Sequence, residues 1–294
     1  MSNSFDLPAL EARLRRHVAQ LAQTPRPPGS REHRRAQEYI ADHLQQAGFA
    51  VSRVRHEEAG FECINYLTAP LPADDRLPLV IIGAHYDSVP DSPGADDNAS
   101  AVAALIELAH WVGPRLRSSG AFPARLQLAA FDLEEYGMIG SYLHAQGLSQ
   151  AGASVGGMIA LEMLGYTDPR PGGQKLPPHL VGFYPDVGNF IGVCGNERSQ
   201  GLLRAVVAGM KGVAGLPVEF LAVPGNGELL REVRLSDHSP FWDFGYEALM
   251  ITDTSFFRNP HYHQPTDTPE TLDYPFLAKV TAGVCAAVMQ ALFR

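Results

Sequence analysis

The sequence predicts an α/β fold: a mixed, mostly parallel central β-sheet flanked by helices on both faces, forming one domain over residues 1–294. Three observations predict it. Four short apolar segments each end on ionisable side chains: residues 79–84 run into His85, 126–131 into Asp132, Glu134 and Glu135, 158–161 into Glu162, and 248–252 into Asp253. Strands buried on both faces read as continuous apolar runs of this kind, and they carry function at their carboxyl tips. Helical patterns separate most of these segments, as a parallel sheet with crossover helices requires. Finally, 294 residues with 45% hydrophobic and 19% charged side chains are enough for one substantial core.

Taken in order, residues 7–22 carry apolar positions at helical spacing, and Arg26-Pro27-Pro28-Gly29-Ser30 ends that helix. Ser30 is the expected N-cap of the next helix, over 31–48, which places Ala36, Tyr39, Ile40, Leu44 and Ala47 on one face and closes at Gly48. Residues 49–55 alternate as a strand, 64–69 form another, and 70–78 read as a turn-rich loop. The Pro- and Gly-rich stretch 165–188 is a long surface loop of the kind that shapes a pocket beside an active edge. Residues 274–293 close the chain with an apolar helical pattern. Lys279 and a high Ala, Gly and Thr content mark it as a packed terminal helix rather than a membrane span.

A net charge of −9 without any long basic block argues against nucleic acid or an anionic membrane as partner. The first sixteen residues hold no apolar signal-peptide core, so a cytoplasmic location is expected. Cys63, Cys194 and Cys285 are odd in number, far apart and set in apolar surroundings, which predicts buried thiols and neither disulfides nor a cysteine metal site.

The chemistry concentrates after the first of the four strands. His85 and up to four carboxylates (Asp87, Asp91, Asp96 and Asp97) crowd into one connection, a donor density that suits a divalent metal. A pair of zinc ions needs one shared carboxylate plus an imidazole and a terminal carboxylate for each. The sequence supplies His85 and His263, Asp97 as bridge, and Glu135 and Glu162 as terminal donors, with His261 as a competing imidazole. Glu134 is then the spare carboxylate and the natural general base. Asp87, two residues beyond His85, is placed to accept a hydrogen bond from the imidazole's other nitrogen. Asp96 is expected behind the metal ligands or as a helix N-cap, Asp237 and His238 as a hydrogen-bonded turn or a ligand brace, and Asp253 and Asp267 as loop-holding groups.

Six stretches together carry a resemblance: Ala84-His85-Tyr86-Asp87-Ser88-Val89, Pro93-Gly94-Ala95-Asp96-Asp97-Asn98-Ala99-Ser100, Phe131-Asp132-Leu133-Glu134-Glu135-Tyr136-Gly137, Leu161-Glu162-Met163-Leu164-Gly165-Tyr166, Ser236-Asp237-His238-Ser239-Pro240-Phe241 and Tyr262-His263-Gln264-Pro265-Thr266-Asp267-Thr268. In that order they resemble the M28 family of zinc aminopeptidases, a group that also holds bacterial leucyl-type aminopeptidases and, more distantly, glutaminyl cyclases and glutamate carboxypeptidase. The resemblance implies a zinc-exopeptidase-like fold with two zinc ions per chain, one held by His85 and Glu162, the other by Glu135 and His263, with Asp97 shared. It implies that Glu134 is the general base and Asp87 the carboxylate that orients the histidine. Tyr262 matches a position where some members place a tyrosine whose hydroxyl steadies the oxyanion. Arg234 resembles an arginine that some members use near the substrate, offset here by Leu235. Two departures stand out: Ala101 where glycine is usual, and Glu162 where aspartate is frequent.

The implied reaction is hydrolysis of the N-terminal residue from a peptide with a free amine. The first side chain would enter an apolar pocket for which Phe183, Phe190, Phe220, Phe256 and Phe257 are candidate walls. Two relatives of the same resemblance remain open: a single-zinc glutaminyl-peptide cyclotransferase, and a carboxypeptidase that would need cations such as Arg170, Arg231, Arg234 or Arg258. A binding module that has lost its metals fits less well, because no ligand position is missing. Oligomeric state is not legible.

Overall fold

The computed structural model describes residues 5–58, 60–118 and 122–292, so the expected helix end at Phe293 and residues 1–4 lie outside it. Helices α1 (Leu7–Leu21) and α2 (Arg31–Gln46) open the chain, and Ser30 caps α2 by accepting the His33 N–H. Strands β1 (Val51–Glu58) and β2 (Phe61–Thr68) extend toward each other beyond the expected limits, because they pair as an antiparallel hairpin from Val51↔Thr68 to Glu58↔Phe61. There follow β3 (Leu79–His85), α3 (Ala101–Ser118), β4 (Arg125–Phe131), α4 (Ile139–Gln150) and β5 (Val155–Glu162). The second half adds β6 (Ile191–Asn196), α5 (Gln200–Lys211), β7 (Val218–Val223), α6 (His238–Asp243), β8 (Ala248–Thr252) and α7 (Tyr274–Leu292).

One eight-stranded sheet runs in the order β1-β2-β4-β3-β5-β8-β6-β7. The four strands read as apolar runs form its centre, β4-β3-β5-β8, and are mutually parallel. Pairing turns antiparallel toward both flanks, at β2–β4 and β6–β8, and the α/β class with a mostly parallel sheet is borne out. Strand alternation divides the core. Val80, Ile82 and Ala84 point to the layer of α1, α2, α3, α5 and α7, while Leu79 and Ile81 point to the layer of α4 and α6. The closing helix α7 has the length and apolarity of a membrane span, yet most of it is buried, packed on α5, α1 and α3. All three cysteines are buried and free.

Strands β6 and β7 are absent from the sequence reading. Gly192 and Gly195 dilute the apolar signal of β6, and at Gly195 a Cβ would come within 2.5 Å of the end of the Leu249 side chain, which would have to shift. Strand β7 lies at the sheet edge, where half-exposed positions blur the pattern.

The connectivity fixes where a site can form. After β3 the chain passes to β4 on one side, then crosses to β5 on the other, so a crevice opens beyond the carboxyl end of β3. Arg26 holds the rim of this crevice. Only 1% exposed, its guanidinium donates to the carbonyls of Leu21, Tyr86, Pro93 and Gly94, binding the loop after β3 to the end of α1.

Candidate metal centre

His85 is the last residue of β3 and is 1% exposed. Asp97 comes from the irregular turn that follows, which two side chains hold in shape. Asp267 accepts the backbone N–H groups of Asp96 and Asp97, and Asn98 bridges the Leu161 carbonyl and the Met163 N–H at the end of β5. Gly94 enters this turn at φ +62, where a Cβ would come within 2.2 Å of the Asp97 carbonyl oxygen.

Glu134 and Glu135 follow β4 on a turn anchored by Asp132. That buried carboxylate accepts from His33 Nε2 at 2.7 Å and from the Ile64 and Leu133 N–H groups. Glu162 ends β5, and His263 lies in the loop between β8 and α7. Leu133, Met163 and His263 adopt left-handed backbone, with φ +57, +47 and +57. Each such residue costs about 1–3 kcal/mol, and this strain is set beside the donor groups.

The donor atoms converge. Asp97 stands between the two imidazoles, with Oδ1 3.2 Å from His85 Nε2 and Oδ2 3.2 Å from His263 Nε2. His85 Nε2 also lies 3.5 Å from Glu162 Oε2 and 3.8 Å from Glu134 Oε2, and His263 Nε2 lies 2.9 Å from Glu135 Oε2. Two clusters result, His85–Glu134–Glu162 and Asp97–Glu135–His263, each able to hold a metal ion. Despite these short separations, both nitrogens of His85, His263 Nε2 and Glu135 Oε1 are buried without a hydrogen bond of acceptable geometry. Such orphaned atoms are rare. Here imidazole lone pairs and carboxylate oxygens face common points, an arrangement that fits cations and not a polar core.

Electrostatics agree. Burial drives Glu134 well above the ordinary carboxylate range against the opposing pull of His85, and burial together with Asp97 pushes Glu135 up to about 7. Glu162 is likewise raised by burial. Asp97 is lowered, because contacts with His263 and His85 outweigh its burial. His263 is raised to about 10, its burial overcome by Asp97 and Glu135. Cations would supply the positive charge these acids lack.

This carries a sign for the metal-free protein. Glu134, Glu135, Glu162 and His263 all bind protons more tightly folded than unfolded, so their stabilisation is complete below the unfolded values and lost as pH rises through the folded ones. Chelator-stripped protein is therefore expected to lose thermal stability between pH 4.5, the ordinary glutamate value, and about 7, and added zinc to reverse the trend at pH 7. Melting curves with and without metal across that range check it.

Other expected residues are placed as follows. Asp87 lies 3.5 Å from His85 Nδ1, too far and misaligned for the expected hydrogen bond; its oxygens instead accept the Glu134 and Glu135 N–H groups, each at 3.2 Å. Asp91 does not join the cluster, being turned to solvent, and Asp96 sits behind it, accepting from Gly165 N–H and Asn259. His261 turns away to Thr266. Asp237 is buried with Oδ1 unpartnered, and His238 faces the Val233 carbonyl through Nε2. Tyr262 stacks on His263 with centroids 3.8 Å apart, and burial keeps its phenol protonated far above the usual range. Ser236, unassigned from sequence, donates to Glu162 Oε2 at 2.7 Å, and no periodicity could have shown it.

A cavity opens from the donor cluster, walled by Phe190, Phe220, Phe256 and Phe257 and by loop residues such as Leu180 and Tyr184. Phe183 is not a wall; it is 81% exposed. Arg234 is not on the lining either, being paired with Asp243, and Arg170 is paired with Asp168.

A family model described as "Peptidase family M28" matches residues 67–288. The chain belongs to that family. It is 38% identical over 264 residues to YfbL of Escherichia coli (strain K12), an uncharacterized protein, covering 85% of this chain and 78% of that one. Against three other curated relatives that it matches, the chain spans 37–49% of their length. The zinc aminopeptidase BSAP of Bacillus subtilis superposes with a TM-score of 0.74 at 16% identity, covering 99% of this chain and 97% of that one. A glutaminyl cyclase of Porphyromonas gingivalis superposes with 0.69 at 19% identity, covering 98% of each. At these identities the M28 fold is what is shared.

Proposed function

We propose that the protein is a metallo-aminopeptidase that hydrolyses the N-terminal residue from peptides at a dinuclear zinc centre. The observation that carries this reading is Asp97, whose two oxygens each lie 3.2 Å from a different imidazole, so that one carboxylate faces both His85 and His263. A cyclase-type site needs a single metal. The M28 family implies a peptide substrate, and BSAP is itself named a zinc aminopeptidase.

His85, Glu162 and Asp97 would hold one ion, and His263, Glu135 and Asp97 the other. Bound zinc ions polarise a carbonyl and lower the pKa of water toward neutrality. Glu134 takes the proton of the attacking water and returns it to the leaving amine. Its side chain, 12% exposed against 1–8% for His85, Asp97, Glu135 and Glu162, is the accessible carboxylate among them. Asp87 fixes the turn that presents Glu134 and lends negative charge beside His85. Tyr262, protonated and over the cavity, donates to the developing oxyanion. The acidic cluster receives the free α-amine, and the aromatic cavity takes the first side chain. A carboxylate-recognising reading finds little support, since the cationic group among the described lining residues is Lys175.

The test is a panel of aminoacyl-arylamides and peptides. Turnover is expected to vanish with chelator, return with zinc, and be lost when the α-amine is acetylated. Cleavage of the acetylated peptide, or ring closure of N-terminal glutamine without hydrolysis, would overturn the assignment.

A further inference from the structure

The register of the sheet draws one straight row away from the metal centre. Glu162 at the tip of β5 pairs with Thr252 of β8, Thr252 with Gly192 of β6, and Gly192 with Glu219 of β7. Residues paired across neighbouring strands point to the same face. This row faces the layer of α4 and α6, because the residues that alternate with it, Leu161, Ile251, Val193 and Val218, pack into the opposite layer. All four members of the row line the cavity described above. We propose that Glu219 closes the far end of this row and selects substrates whose first side chain is long and cationic, lysine or arginine. The proposal rests on the aminopeptidase reading and adds to it the class of residue removed.

The row has the length such a side chain needs. Its middle members are small, a threonine and a glycine, and two positions along the same strands Met250, Cys194 and Leu221 continue the floor with apolar groups. Strand spacing is about 4.7–4.9 Å, so three steps put Glu219 roughly 14 Å from Glu162. The α-amine and the scissile carbonyl take up the Glu162 end, which leaves two steps, roughly 9–10 Å, for the side chain. An extended lysine carries Nζ about 6 Å from its Cα. A charge-assisted hydrogen bond covers about 2.8 Å more. Leucine ends about 3 Å from its Cα and stops well short.

The charge is in place and uncommitted. Glu219 is half-buried on the edge strand, and among the described residues no side chain forms a hydrogen bond or ion pair with its carboxylate. Lys175, the cation of the lining, gives its Nζ to the Gly172 carbonyl, and Lys211 holds its Nζ 5.7 Å over the Phe220 ring. Glu219 is felt inside the cavity: burial first, then Cys194 and Glu219, raise the Tyr184 phenol above its usual range. Tyr184 donates its hydroxyl to the Phe220 carbonyl at 2.9 Å, which pins the 165–188 loop to β7 beside Glu219. Glu232 adds a second carboxylate at the exposed rim. The aromatic walls suit a cation as well as an apolar group, since ring faces attract ammonium and guanidinium, while the aliphatic stem packs on the floor.

The experiment compares lysyl- and norleucyl-arylamides, which share an unbranched four-carbon stem and differ in the ammonium group, on full-length protein loaded with Zn2+. Wild type is expected to favour lysine over norleucine about tenfold or more in kcat/KM, with the arginyl substrate behaving as the lysyl one. Glu219→Gln, which keeps the shape and removes the charge, should lower that ratio about tenfold, mainly through KM, as loss of a binding contact does. Glu219→Lys should reverse the preference. Position 219 is half-exposed at a sheet edge, so both variants should fold. A merely structural role would depress both substrates alike and leave the ratio where it was. An unchanged ratio in Glu219→Gln with the norleucyl substrate still cleaved overturns the proposal and leaves the aminopeptidase reading standing. So does a wild-type ratio at or below one. Failure to cleave any free-amine substrate overturns that reading, and this selectivity with it.

Discussion

Glu134→Ala is expected to keep both zinc ions and to lower kcat by about two to four orders of magnitude, the range for losing a general acid/base. The geometry separates Glu134 from the groups that would hold metal. Although it belongs to the cluster with His85 and Glu162, its carboxylate is the most distant of three from His85 Nε2, at 3.8 Å against 3.2 Å for Asp97 and 3.5 Å for Glu162. Removing it leaves His85, Glu162 and Asp97 as a complete set. Ser236 still orients Glu162, and Asp87 still fixes the turn through the backbone N–H groups of residues 134 and 135, which alanine retains. The loss should therefore fall on kcat with KM little changed, since a group used in proton transfer contributes little to ground-state binding. Metal analysis alongside single-turnover kinetics checks this. Loss of one zinc with unchanged residual turnover would make Glu134 a ligand instead of a base.

The centre of the sheet was legible because burial on both faces leaves a simple trace. Strands β3, β4, β5 and β8 are apolar apart from Arg125 and the hydrogen-bonded Gln127 of β4 and the groups at their carboxyl ends, which are His85, Asp132 with the two glutamates beyond it, Glu162 and Thr252 followed by Asp253. His85 and Glu162 stand at strand ends for the same reason, whereas Asp97 and His263 lie in loops and were proposed from the motif order. What escaped depends on contacts between distant segments. That Asp87 braces the Glu134 turn and does not bond to His85 depends on the way β3 and β4 end side by side, with His85 opposite Phe131. Asp91 and Asp97 are the same residue type six positions apart, but only the second lies in the turn that Asp267 and Asn98 hold against β5. Phe183 and Phe190 share one loop, yet Arg258 donates to the Phe190 carbonyl and lies 4.6 Å over its ring, whereas Phe183 is left in solvent. Side-chain type indicates what chemistry is available, and long-range hydrogen bonds decide which copy of it is used.

Asp97→Ala is expected to be the most damaging single change for metal content, taking the centre from two bound ions to one or none and activity down with them. Every other donor serves one cluster. Asp97 serves both, so its loss removes a ligand from each ion and also the negative charge that lies between them. The ions would then repel one another across a gap that nothing bridges, at a separation near 3.5–4 Å for sites of this kind. The turn itself should survive. Its shape is set by Asp267 on the backbone N–H groups, by Asn98 on β5 and by Gly94, none of which needs the Asp97 side chain. Folding measured by far-UV circular dichroism should thus match wild type while zinc measured after dialysis falls. Asp97→Asn keeps the shape and loses the charge, so it should retain more metal than alanine but less than wild type. Two zinc ions still bound in Asp97→Ala would remove this carboxylate from the centre altogether, and with it the argument that one acid joins two imidazoles into a single catalytic unit.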